Sequence, residues 1–306
     1  MPGLPRSTTT SPDTARGLLL GLAGVFMFAL SIPMTRLAGG SAEAPQLDPV
    51  FVAFGRAAVA GVLSVLYLAA TGARRPRGRE WALLAFTAAG VVFGWPVLLG
   101  LAVRQVDAVH ASVVSGVLPL ATAVIAAVVL RQRPSAGFWA CALAGLALVI
   151  GFAAWRGAGG LEVADALLLG AVVCASAGYV SGARLSAALS SEQVICWVLV
   201  LSLPLTVPVA ALTRPVAPVA ASAWLGFAYV SLVSMWIGFF AWYRALALGG
   251  TLRVSQVQVL QPFLSMLLAV PLLGERLDAM TLLFAAAVLA VVWVGKRQPV
   301  EVREGP

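Results

Sequence analysis

Residues 113–133, VVSGVLPLATAVIAAVVLRQR, return in altered form as residues 256–276, QVQVLQPFLSMLLAVPLLGER. Setting Pro119 on Pro262 gives an offset of 262 − 119 = 143, which also places Ala102 on Ala245, Ser112 on Ser255 and Arg133 on Arg276. A duplicated unit restricts the chain to two similar halves. Duplications of this length set in apolar sequence mark membrane proteins whose halves enclose a site near the bilayer midplane.

The rest of the chain agrees. Of its residues 61% are hydrophobic and only 10% charged, with a mean hydropathy of +0.97, against about a quarter charged in an average soluble domain. Too few charges remain to cover a water-soluble surface. The net charge of +8 lies between apolar runs rather than on one polar face, which argues for topology-setting arginines and against a nucleic-acid partner. Cys141, Cys174 and Cys196 each sit inside an apolar run without metal-ligand or CxxC spacing, so they read as small packing residues.

A spanning helix needs about 20 apolar residues. Ten such runs are present, at 17–38, 49–71, 81–103, 108–130, 136–155, 165–185, 193–212, 223–248, 254–273 and 279–294. The reading is therefore an all-α polytopic membrane protein with ten transmembrane helices. Residues 1–16 form a tail, 17–156 the first repeat, 157–164 a linker, 165–296 the second repeat, and 297–306 a second tail. Arginines such as Arg74, Arg75, Arg77, Arg79, Arg131, Arg133 and Arg184 collect in alternate connections. Cytoplasmic connections retain such charge, so both termini are expected in the cytoplasm. Five spans per repeat make the repeats inverted.

On a helix, residues three and four apart share a face. Ser112, Ser115, Pro119 and Thr122 form one stripe in the fourth span. Ser255, Gln258, Pro262 and Ser265 form its counterpart in the ninth, with Gln261 beside them. Polar side chains at that depth face either a neighbouring helix or an aqueous cavity. For the serines the two readings are balanced, and the bulkier Gln258 and Gln261 favour a cavity. Each proline deletes a backbone hydrogen bond, which makes Pro119 and Pro262 candidate hinges or static kinks. Arg56 lies about 10 Å into the second span at 1.5 Å per residue. It either snorkels or pairs with Asp48, or it binds an anionic group of a substrate. Trp95 and Trp236 are candidate cavity walls, and His110 is expected at the outer interface. Neither a catalytic motif nor a metal-binding spacing is found, so no enzyme, metal or cofactor is expected.

Ala245, Pro262 and LLGER at 272–276, with the first-half counterpart Ala102, Pro119 and VLRQR, resemble the EamA domain of the drug/metabolite transporter superfamily. Arg56 falls where the first EamA repeat often carries an arginine. The Gly-Glu of the motif is kept only at Gly274 and Glu275, so any role of that glutamate is carried to Glu275 alone. The resemblance implies two inverted five-helix EamA-like repeats in a bacterial inner membrane, with a cavity lined by the first, third, fourth, sixth, eighth and ninth spans. It also implies a proton or other ion gradient as the driving force, and it admits a homodimer. The expected activity is secondary transport, as an exporter of small metabolites such as amino acids or toxic analogues, by alternating access. The substrate site is expected at Arg56, Trp95, Ser112, Ser115, Thr122, Trp236, Ser255, Gln258, Gln261 and Ser265. The alternatives are a nucleotide-sugar or phosphorylated-metabolite exchanger and, in a different class, a non-transporting membrane assembly or sensor protein.

Overall fold

In a computed structural model of the chain, residues 12–129, 131, 133–157, 160–186, 188–249, 257–298 and 300–301 are described. Among the described residues eight helices are long and apolar enough to cross a membrane: α1 (Ala15–Gly39), α2 (Pro49–Ala70), α3 (Arg79–Ala102), α4 (Ala108–Val129), α5 (Ala136–Arg156), α6 (Val163–Leu185), α7 (Glu192–Leu212) and α8 (Ala221–Trp242). Two shorter apolar helices follow, α9 (Gln258–Leu273) and α10 (Ala279–Gly295). The only strands among the described residues are two-residue pieces, β1 (Arg133–Pro134) and β2 (Val300–Glu301). They pair antiparallel and tie the connection after α4 to the segment after α10.

The helix boundaries follow from local chemistry. Asp48 accepts the Val50 N–H at 2.8 Å and the Phe51 N–H at 3.4 Å, and Pro49 supplies a helical φ at the first position of α2. That carboxylate is therefore committed to capping, and the ion pair with Arg56 allowed for by the sequence does not form. Ser135 caps α5 through Phe138 N–H, and Asp278 caps α10 through Thr281 N–H. Gly274 ends α9 in the left-handed region at φ +69°, which a residue without Cβ adopts at little cost.

The bundle packs in pairs that link the two halves. The main contacts are α2 with α7, α1 with α8, α3 with α6, α5 with α10, and α4 with both α6 and α9. Small residues bring the helices close, as expected where lipid supplies no hydrophobic drive for association. Gly90 and Gly94 of α3 lie against Cys174 and Gly178 of α6. All three cysteines are free, in line with the packing role read from their positions. The outer surface of the bundle is apolar, with Leu66, Phe86, Leu143, Leu205, Leu225 and Leu283 all exposed, as a lipid-facing surface must be.

Two pairs of backbone irregularities recur at the offset found in the sequence. The α3 helix widens to a π-helix over Ala89–Gly94 and the α8 helix over Tyr229–Ile237, and the two stretches end 237 − 94 = 143 residues apart. The α4 helix is interrupted at Gly116 and Val117, just before Pro119. In α9 a 3-10 turn over Gln258–Leu260 gives way to α-helix just before Pro262. The cause is shared: proline has no N–H for the carbonyl four residues earlier, here Ser115 or Gln258, so the preceding turn rearranges.

Candidate functional site

Arg56 sets the polarity of the bundle centre. It is only 4% exposed, and its Nη2 donates to Ser234 Oγ of α8 at 3.0 Å. Ser234 Oγ lies in turn 2.6 Å from Ser31 Oγ of α1. Arg56 Nε is buried without an acceptor among the described residues. The guanidinium neither snorkels to the surface nor meets a carboxylate: among the described residues the arginine–carboxylate pairs are Arg74–Glu80, Arg156–Asp107 and Arg156–Asp278.

Beside Arg56 opens a narrow cleft that is partly open to its surroundings. Its walls include Phe28, Ser31, Trp95, Tyr179, Phe239 and Gln261, contributed by α1, α3, α6, α8 and α9, and Leu118 of α4 closes one side. Three of the residues expected from the sequence, Arg56, Trp95 and Gln261, are brought together here.

The remaining expected residues lie elsewhere. Ser112 Oγ is 2.6 Å from Ala108 O and 2.9 Å from Ser265 Oγ, so these two serines join α4 to α9. Thr122 donates to Leu118 O at 2.8 Å and lies 3.1 Å from Ser176 Oγ of α6. Ser115 Oγ is buried without a partner among the described residues. Gln258 forms the 3-10 turn before Pro262 and is not among the cleft residues. Trp236 is not among the cleft residues and packs at a tilt against Phe240, ring centroids 4.8 Å apart, with Tyr67 edge-on at 6.5 Å. Ser255 lies outside the described residues.

A second cluster of charge forms near the start of α4. His110, in the first turn of α4, is 4% exposed, and its Nε2 lies 2.7 Å from Asp165 Oδ1 at the start of α6. Asp165 Oδ2 also accepts the Glu162 N–H at 2.9 Å. Arg156 pairs with Asp107 at 2.9 Å and approaches Asp278 at 3.6 Å. Glu275 accepts both the Ala108 and the Val109 N–H at 2.8 Å, supplying the cap that the Asp107 side chain does not. Burial raises the Glu275 carboxyl above the ordinary glutamate value, and the two backbone donors oppose that shift.

The family profile of the EamA-like transporter family matches residues 15–154 and again 163–294. The chain belongs to the EamA-like transporter family. A curated relative from Bacillus subtilis (strain 168), named Uncharacterized transporter YdeK, is 42% identical over 286 residues, covering 93% of this chain and 98% of its own. A solved crystal structure at 21% identity covers 92% of this chain and 98% of its own with a TM-score of 0.62, and it shares the fold. This EamA-like protein is thus a multi-pass membrane transporter, in line with its membrane-length helices.

Sequence reasoning missed Ser31, Ser234, Phe28, Tyr179 and Phe239 as parts of the EamA-like cleft. One signal pointed to the serines: a guanidinium placed that deep needs oxygen partners at matching depth on other helices. The His110–Asp165 pair was missed because Asp165 opens its span and reads there as an ordinary capping residue.

Proposed function

We propose that this protein is a secondary transporter that exports small metabolites across a bacterial inner membrane by alternating access, with the Arg56 cleft as its substrate site. The observation that carries the reading is the position of the cleft. It lies where helices of both halves converge, and it holds a buried cation whose hydrogen bonds are incompletely met. The cleft walls come from the spans expected to line the cavity, with α2 adding Arg56.

The reading takes the bundle as ten spans in two inverted repeats, residues 17–156 and 165–296, joined by a linker at 157–164. The helix contacts support it. Renumbering each helix by five turns the α1–α8 pair into α6–α3 and leaves α2–α7, α4–α9 and α5–α10 unchanged, as a two-fold axis relating the halves does, and five spans per half would lay that axis in the membrane plane. The paired π-helices and paired breaks support it too. Pro119 and Pro262 then act as flexing points, and Ser112 and Ser265 hold α4 and α9 together while they move. Arg74 meets Ala188 O, and β1 meets β2. These contacts gather the arginine-rich connections and the C-terminal segment at one end of the bundle, which supports two cytoplasmic termini. A phosphorylated-metabolite exchanger needs several cations in the cavity, and Arg56 is the one arginine among the cleft residues.

The test is an untargeted comparison of metabolites in the medium of cells carrying the protein and cells carrying an Arg56→Ala, Gln261→Ala variant inserted to the same level. Enrichment of a metabolite only with the intact protein is expected. Depletion from the medium overturns the export direction. Identical media across several nutrient conditions, with no flux in vesicles, overturn transport through this cleft.

A further inference from the structure

The hydrogen-bond inventory of the cleft is one-sided. Arg56 carries five N–H donors, of which one meets Ser234 Oγ and another, on Nε, is buried without an acceptor among the described residues. Ser31 and Ser234 share one hydrogen between their oxygens. Whichever of them donates it, the other hydroxyl hydrogen is left for an acceptor. Asp and Glu are absent from the cleft residues, so the donors and the positive charge have no counterpart in the walls.

We propose that the cleft selects a small organic monoanion, a carboxylate with an apolar or aromatic body and no free ammonium group. This rests on the cleft being the substrate site. The carboxylate seats on Arg56, where a bidentate pair matches the guanidinium fork, and takes the spare serine hydroxyl as a further donor. The body lies among Phe28, Trp95 and Phe239. A dianion such as a phosphate ester leaves one of its charges uncompensated away from water, which is costly. A zwitterion brings an ammonium for which the walls hold no carboxylate. The amino acids expected from the family resemblance are therefore disfavoured relative to simple carboxylates of the same size.

The experiment is calorimetric titration of the full-length protein in detergent with four probes that share a ring: phenylacetate, phenylacetamide, phenylalanine and phenyl phosphate. Phenylacetate is expected to bind at least about tenfold more tightly than the other three, the scale of one charge-assisted hydrogen bond. Arg56→Gln, checked for an unchanged elution profile and melting temperature, is expected to bring phenylacetate and phenylacetamide within about twofold of each other. Ser31→Ala, which leaves the cation in place, is expected to weaken phenylacetate alone, by about threefold to tenfold. Equal binding of phenylacetamide, tighter binding of phenylalanine or phenyl phosphate, or no binding of phenylacetate overturns the proposal. Phenylacetate flux in vesicles separates the two readings. Selective binding without flux keeps the anion site and removes the transport role, whereas export of other metabolites that is insensitive to Arg56 substitution does the reverse.

Discussion

Glu275, in the connection between α9 and α10, accepts the N–H of Ala108 at the start of α4 at 2.8 Å, with its second oxygen on Val109 N–H at the same distance. A residue of the second half thereby caps a helix of the first. Replacing it with alanine leaves two amides of a partly buried helix end unmet, and stability is expected to fall by about 1–3 kcal/mol. Thermal unfolding in detergent measures this, and an unchanged melting temperature removes the capping role.

The same carboxylate gives a pH dependence. Its value in the folded protein is raised by burial, so between the ordinary glutamate value and the raised one the folded state holds a proton that the unfolded chain has released. Stability therefore declines as pH rises through that window. Glu275→Gln cannot titrate, and its melting temperature is expected to be flatter over the same range. A parallel decline in the variant assigns the effect to other groups.

His110 and Asp165 are both buried. Substituting His110 by leucine leaves Asp165 with only the Glu162 N–H and is expected to cost about 1–3 kcal/mol, the scale for leaving a buried acceptor short of a partner. The His110→Leu, Asp165→Leu double variant is expected to recover part of that loss. A double-mutant cycle on melting free energies checks this, and strict additivity shows that the two are uncoupled.

A Cβ at Gly90 would collide with the backbone carbonyl of Cys174, an atom that cannot rotate away. Gly90→Ala is expected to push α3 from α6 and destabilise the protein by about 1–3 kcal/mol, the range for overpacking. By contrast, Gly72 has open space around it, though its φ of +58° makes alanine there a backbone penalty of about 1 kcal/mol.

Gln261 lines the cleft and Gln258 does not. Gln261→Ala is expected to raise the KM for flux about fivefold, the loss of roughly 1 kcal/mol of hydrogen bonding, while Gln258→Ala stays within about twofold. Equal effects of the two place the substrate nearer the 3-10 turn.

The eight membrane-length helices were legible because a helix in lipid must be apolar along its whole length, and capping residues such as Asp48, Ser135 and Asp278 stand in the sequence beside the turns they close. The duplication was legible because Pro119 and Pro262 impose the same backbone defect in both halves. Arg56, Trp95 and Gln261, which the structure brings to one cleft, stood out in the sequence because polar or bulky groups within an apolar run are conspicuous. What lay opposite them was not. A serine in a helix reads the same whether it bonds its own backbone, as Ser64 does, or bridges to a cation on another helix, as Ser234 does. The stripe of Ser112, Ser115 and Thr122 shows the same limit: its period defines a face, yet whether that face meets α9, α6 or open space depends on the rotation of α4 against its neighbours. The sequence by itself determined a duplicated set of membrane-length helices with a buried arginine. Tertiary packing alone decided that the arginine meets the Ser234 hydroxyl, itself joined to Ser31, and no carboxylate, because contacts between helices far apart in the chain are set by how their small residues fit together.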